Sequence, residues 1–175
     1  VESKVYNDKN EFKLRKKSGE IIYVESRSSI IYHDGKPNAI QGIARDITER
    51  KASEESLYKF SSNGFMYDVI IDDGSHRMKD LQITAQILFE NVKPGGYLVI
   101  EDLQTSIECR MPEKAVFGWG DPEKTTCLDM LYSIIDGNPT TDYKTDRWES
   151  FINNIESIFI SNDREDSIYA IIKKK

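Results

Sequence analysis

Asp68-Val69-Ile70-Ile71-Asp72-Asp73-Gly74-Ser75-His76 and, further along, Lys93-Pro94-Gly95-Gly96-Tyr97-Leu98-Val99-Ile100-Glu101-Asp102 are the two stretches that decide the fold. Each holds a short continuous apolar run closed by two carboxylates, the pattern of a buried parallel strand whose C-terminal end opens into a site. Between them, Met78 to Val92 reads as a helix with Leu81, Ile83, Ala85, Ile87, Leu88 and Phe89 on its apolar face, stopped by Lys93-Pro94-Gly95-Gly96. Strand, helix and strand in that order predict a right-handed parallel crossover and hence an α/β fold.

Downstream, Gln104 to Pro122 reads as a loop holding Pro112, Gly118, Trp119 and Gly120. A helix is predicted from Lys124 or Thr125 to Asp136, with Thr125 and Thr126 as caps and Leu128, Leu131, Ile134 and Ile135 as its stripe, before Gly137-Asn138-Pro139 ends it. Ile155 to Ser161 and Ser167 to Ile172, separated by the polar run Asn162 to Asp166, predict a β-hairpin at the edge of the same sheet.

Upstream the period changes. Glu11 to Lys16, Ile21 to Tyr32 and Ala39 to Ile47 alternate in the β manner, with turns at Lys17-Ser18-Gly19-Glu20 and Asp34-Gly35-Lys36-Pro37. Such short connections predict antiparallel neighbours. Glu49 to Leu57 is polar and helix-favouring, with Asp46 or Thr48 able to cap it. The chain therefore divides into a β segment over residues 1–48, a linker helix and turn over 49–64, and an α/β domain over 65–175, α+β overall.

Composition agrees with two unlike parts. Residues 1–57 hold 11 basic and 10 acidic side chains, a net of +1, so residues 58–175 hold the other 13 basic and 20 acidic, a net of −7. An acidic second part excludes a nucleic-acid backbone as the expected partner and suits a site that concentrates cations. No apolar stretch is long enough to span a bilayer, so a soluble, cytoplasmic chain is expected. A start at Val1 rather than Met points to a chain that begins inside a longer one. Cys109 and Cys127 have no metal-type spacing and read as reduced thiols.

The chemistry concentrates where the two strands end. Asp72, Asp73, Glu101 and Asp102 would meet in one crevice if the strands are parallel neighbours, roughly 4.8 Å apart. Carboxylates crowded in that way repel unless protonated or bridged, and hard oxygen ligands favour Mg²⁺ over Zn²⁺. His76, on the turn beyond Asp73, could accept a proton from a substrate hydroxyl held at that metal. A simpler role is open for each: Asp72 or Asp73 could cap the following helix, and His76 could be only a solvated turn residue.

Two resemblances follow from these residues. Gly42-Ile43-Ala44-Arg45-Asp46-Ile47-Thr48-Glu49-Arg50-Lys51, after a hairpin and a long strand, resembles the last strands of a PAS domain (the PAC motif) and its exit into a signalling helix. That resemblance covers roughly residues 10–57, and it implies a signalling or dimerisation module, with a homodimer formed through the strands. The second stretch, from Asp68 to His76 and from Lys93 to Ser106, resembles the macrocin-type, metal-dependent O-methyltransferases among the class I S-adenosylmethionine enzymes. It extends more loosely through Gly118-Trp119-Gly120 and Thr125-Thr126 to the closing hairpin.

This second resemblance implies a Rossmann-like methyltransferase sheet and Mg²⁺ held at Asp73, Glu101 and Asp102. It further implies His76 as catalytic base on a sugar or other small-molecule hydroxyl, Asp72 beside the metal as a cofactor-binding residue, and Gln104 in support of the ligands or the substrate. S-adenosylmethionine is the family's methyl donor. Upstream of Asp68 there is no Gly-rich turn of the kind that binds it, so the resemblance covers the catalytic half alone and implies a fragment in which a metal site stands without the donor-binding half. The alternative is the PAS-type module with the α/β part as an inert passenger.

Overall fold

The computed structural model describes residues 2–33, 35–111, 119–161 and 167–175, and these fall into two compact units, Val1–Ser56 and Leu57–Lys175. Asp34 in the second expected turn, Pro112 and Gly118 in the expected loop, and the hairpin connection Asn162 to Asp166 lie outside the described residues.

The first unit is an antiparallel sheet in the order β1 (Glu2–Arg15), β2 (Ile21–His33), β3 (Lys36–Asp46), followed by helix α1 (Thr48–Ser61). The strands are longer than the alternation predicts, because polar residues also join a ladder that backbone groups alone can make. Gly19, at φ +91°, closes the first hairpin, where Lys16 N donates to Glu20 O. Thr48 turns the chain from β3 into α1: its hydroxyl accepts from Tyr23 N at 2.9 Å and donates to Asp46 Oδ1 at 2.6 Å. Arg50 then reaches Glu11 and Glu25, and Lys51 reaches Glu11, so charge rather than apolar area ties the helix start to the strands. Among the described residues of this unit burial is confined to Val24 and Ile47, and β3 is exposed throughout, with Ile40 at 77% and Ile43 at 74%.

In the second unit the strand order is β4 (Tyr67–Asp72), β5 (Val92–Ile100), β7 (Ala170–Lys174), β6 (Ile155–Ile160). β4 and β5 are parallel as expected, while β7 pairs antiparallel with both β5 and β6, so the closing hairpin adds to the sheet through its second strand. Lys93-Pro94-Gly95-Gly96, expected only to stop a helix, is a bulge within β5: pairing passes from Tyr67↔Val92 directly to Val69↔Tyr97. Gly95 takes φ +78°, and a Cβ on Gly96 would come within 2.6 Å of Asp68 O, so the strands can close at this point only around glycine.

Helix α2 (Met78–Leu88) passes into a 3₁₀ turn at Phe89–Asn91, shorter than the helix predicted to Val92. A short helix α3 (Thr105–Glu108) lies inside the stretch expected as a loop, and α4 (Cys127–Ile135) and α5 (Trp148–Asn154) share one core with α2, which takes in Leu98, Ile100, Ala170 and Ile172 of the sheet. Helix α4 begins as expected at a threonine: Thr126 and Asp129 form a reciprocal capping box. Two residues that pattern reading would place outside are wholly buried. Gln82 donates to Thr125 O and accepts from Thr141, and Gln86 donates to Tyr143 O and accepts from Thr145, so each amide spends both ends pinning a loop to α2. Both cysteines are free and buried.

The other face of this sheet carries an apolar row in register across all four strands, Ile71, Val99, Ile171 and Phe159, with Ile71 and Phe159 exposed. No helix among the described residues is long and apolar enough to cross a membrane.

Lys174 is a structural residue rather than a solvated tail. Its ammonium donates to the carbonyls of Phe89 at 3.0 Å, Glu90 at 3.1 Å and Val92 at 2.8 Å, closing the C-terminal end of the 3₁₀ turn, and burial holds its pKa below the ordinary lysine value. Lys174→Met keeps the apolar stem and removes the donors, so it is expected to cost about 2 kcal/mol, read as a lower urea midpoint with an unchanged slope.

Candidate metal centre

The parallel ladder continues one step beyond the strands. Glu101 N donates to Asp72 O at 3.0 Å, which brings the carboxylate pairs at the ends of β4 and β5 side by side. From Asp72 the chain turns through Asp73, Gly74, Ser75 and His76 into α2. The N-cap of that helix is Arg77, which caps with no side-chain hydrogen bond, so neither Asp72 nor Asp73 takes the capping role. Met78 N donates instead to Trp119 O at 2.7 Å, and Ser75 Oγ to Asp80 at 2.8 Å.

Asp73, His76 and Asp102 converge here: one donor atom from each lies within 4.8 Å of the others. Two ligands on opposite sides of a hard cation stand about 4–5 Å apart, so the spacing fits a single ion. The same segment carries backbone strain. His76 at φ +53° and Asp102 at φ +55° are the non-glycine residues with left-handed backbone among those described, and such strain persists where surrounding structure enforces it. Nδ1 of His76 is buried without a hydrogen bond and stands 3.5 Å from Asp102 Oδ2; the ring meets Trp119 edge-on at 6.4 Å.

The carboxylate of Asp102 is asymmetric. Oδ1 accepts from Gln104 Nε2 at 2.9 Å and Ser167 Oγ at 3.1 Å, and Oδ2 faces His76. The Gln104 hydrogen bond, with a smaller contribution from Ser167, holds the Asp102 carboxyl below the ordinary carboxylate range despite partial burial. Asp72 is in the opposite situation. Only 8% exposed, it accepts from the Thr84 hydroxyl and from Gly74 N, and burial raises its pKa. A Cβ on Gly74 would sit 2.9 Å from Asp72 Oδ1, so glycine lets the turn fold back over that carboxylate. Glu101 is half-buried beside the centre and is not in the three-residue group. Trp119, which the sequence marks only through the loosely matching Gly118-Trp119-Gly120, and Ser167, which no local pattern marks, also border the site.

A pocket of about 440 Å³ opens near the same end of the sheet, lined by Ile107, Met111, Leu128 and Tyr132 with the Arg110–Asp129 ion pair and Ile168. Ile168 joins it to the centre, since Ile168 N donates to Gln104 Oε1 at 3.2 Å and Ser167 is its neighbour.

No family model matches the chain. It is 30% identical over 120 residues to L-olivosyl-oleandolide 3-O-methyltransferase of Streptomyces antibioticus, covering 60% of this chain and 29% of that protein. Over 72 residues it is 38% identical to demethylmacrocin O-methyltransferase of Streptomyces fradiae and, equally, to mycinamicin VI 2''-O-methyltransferase of Micromonospora griseorubida, covering 40% of this chain and 17% of each of those. Among solved structures it resembles the MycE methyltransferase of the mycinamycin biosynthetic pathway, solved with Mg and SAH. That match has a TM-score of 0.50 at 26% identity and covers 69% of this chain and 29% of that one.

The chain thus spans less than a third of the length of these relatives, and it is homologous over part of its own length to macrocin-type O-methyltransferases. Its mixed α/β fold, with two sheets and helices, is similar to the methyltransferase fold.

Proposed function

We propose that residues 65–175 are the metal-binding, catalytic portion of an Mg²⁺-dependent, S-adenosylmethionine-dependent O-methyltransferase acting on a sugar or other small-molecule hydroxyl. The observation that carries this reading is the convergence of Asp73, His76 and Asp102 at the ends of two parallel strands, with left-handed backbone at His76 and Asp102. In this reading Asp73 and Asp102 hold the cation, with Glu101 adjacent to complete the acidic set and Asp72 beside it. A bound divalent cation lowers the pKa of an oxygen that it touches.

His76 then takes the hydroxyl proton. With Nδ1 turned toward Asp102 Oδ2, the ring's Nε2 is the nitrogen left to accept the hydroxyl proton. The apolar pocket next to Ile168 gives the body of a substrate somewhere to rest. Calorimetric titration of the whole chain with Mg²⁺ and with S-adenosylmethionine tests this. Saturable heat with Mg²⁺ is expected, and absence of donor binding at millimolar concentration would overturn methyl transfer for this chain while leaving the metal centre standing.

A second reading is supported by the first unit: a three-stranded antiparallel sheet that runs through Asp46-Ile47-Thr48 straight into a helix, with β3 exposed along its length. We infer a PAS-type module over residues 1–48 that pairs with a second copy through these strands. Sedimentation showing a monomer over a wide concentration range would remove it.

A further inference from the structure

We propose that Ser167 is a positioning residue of the metal centre: with Gln104 it fixes Oδ1 of Asp102, so that Oδ2 is the oxygen presented to a cation. The inference rests on the metal-centre reading above and extends it to a residue 65 positions downstream of Asp102. Four contacts form a closed ring. Gln104 Nε2 donates to Asp102 Oδ1 at 2.9 Å, Ser167 Oγ donates to the same oxygen at 3.1 Å, Ile168 N donates to Gln104 Oε1 at 3.2 Å, and Leu103 N donates to Ile168 O at 2.7 Å.

The ring decides two ambiguities. Because a backbone N–H occupies Gln104 Oε1, the amide can present only its NH₂ to Asp102. Because two donors occupy Oδ1, rotation of the carboxylate about its last bond would break two hydrogen bonds at once, so the oxygen facing His76 is fixed. Asp102 needs this support more than an ordinary side chain does, since its backbone is held at φ +55° directly after the strand. Ser167 and Ile168 thereby become part of the site, and their seating on the turn at residues 102–104 should set how well the centre is formed.

The test is Mn²⁺ titration of the full chain, followed by electron paramagnetic resonance of the free ion, for the unaltered protein, Ser167→Ala and Ser167→Thr, each also melted without metal. Outer hydrogen bonds to metal ligands typically set affinity by 10–100-fold, so Ser167→Ala is expected to bind about 10-fold more weakly with an unchanged melting temperature. Ser167→Thr, which keeps the hydroxyl, is expected to restore most of the loss. Equal affinity in Ser167→Ala would overturn the inference, as would a loss that threonine does not restore or that matches a fall in melting temperature. Failure of the unaltered protein to take up Mn²⁺ would remove the metal-centre reading itself, and this inference with it.

Discussion

Asp102→Asn is expected to weaken Mn²⁺ or Mg²⁺ binding on the order of 100-fold, equivalent to about 2.7 kcal/mol, with little change in folding stability. The substitution separates charge from shape. Asparagine has nearly the same volume and is, with aspartate, among the non-glycine residues that tolerate left-handed backbone, so the φ of +55° should persist. Its carbonyl oxygen can still accept from Gln104 and Ser167, which leaves the ring around Oδ1 intact. What changes is the atom that faces His76, where a charged acceptor becomes an NH₂ group with no lone pair for a cation. Asp102→Ala would blur the result, because it removes the ring and places an ordinary residue in a strained conformation at the same time. Isothermal titration with each ion, alongside thermal melting, reads both quantities. Retained affinity in Asp102→Asn would mean that the convergence of Asp73, His76 and Asp102 is not a metal site.

The meeting of Asp73, His76 and Asp102 was legible in the sequence because its information is local. A continuous apolar strand cannot end in two carboxylates without either water or a partner, and Asp72-Asp73 and Glu101-Asp102 close consecutive parallel strands. Sequence spacing did not indicate which acids would be spent on folding. Asp72 turns back under α2 to Thr84, a contact that depends on how close the helix lies to the strand rather than on any motif. The strain at His76 and Asp102 was equally invisible, since neither is the glycine that usually announces positive φ.

In the fold, β4, β5, α4 and the closing hairpin were readable from apolar runs and caps, whereas α5 was not. It has seven residues, no side-chain cap at Arg147, and two aromatic anchors, Trp148 and Phe151, whose role appears only when Phe151 meets Phe89 and Trp148 packs on Phe151. The bulge at Lys93 to Gly96 misled for a related reason. Proline and glycine signal a break in local conformation, and a strand that pairs on both sides of that break looks the same in sequence as one that starts after it.

Phe89→Ala is expected to have the largest effect on stability, a loss of about 3–5 kcal/mol. Phe89 is 1% exposed and sits where α2 tightens into its 3₁₀ turn, with Phe151 packed edge-to-face at 5.2 Å and the Lys174 ammonium 5.4 Å above its ring. Truncation therefore removes one aromatic partner of α5 and the ring beneath a half-buried cation together, and it opens a cavity in the core. Against a typical domain stability of about 5–15 kcal/mol this is about a fifth of the whole or more. Because Phe89 and Lys174 touch, combining Phe89→Ala with Lys174→Met should cost less than the sum of the two, the sign expected when the first change has already loosened what the second removes. The metal centre offers an internal control. Met78, at the start of α2, adjoins it, while Phe89 follows the far end of that helix, so Mn²⁺ affinity measured where Phe89→Ala remains folded should match that of the unaltered protein. A parallel fall in affinity would mean that α2 transmits packing from the core to the centre, and urea unfolding with and without Mn²⁺ distinguishes the two outcomes through the metal-dependent shift in midpoint.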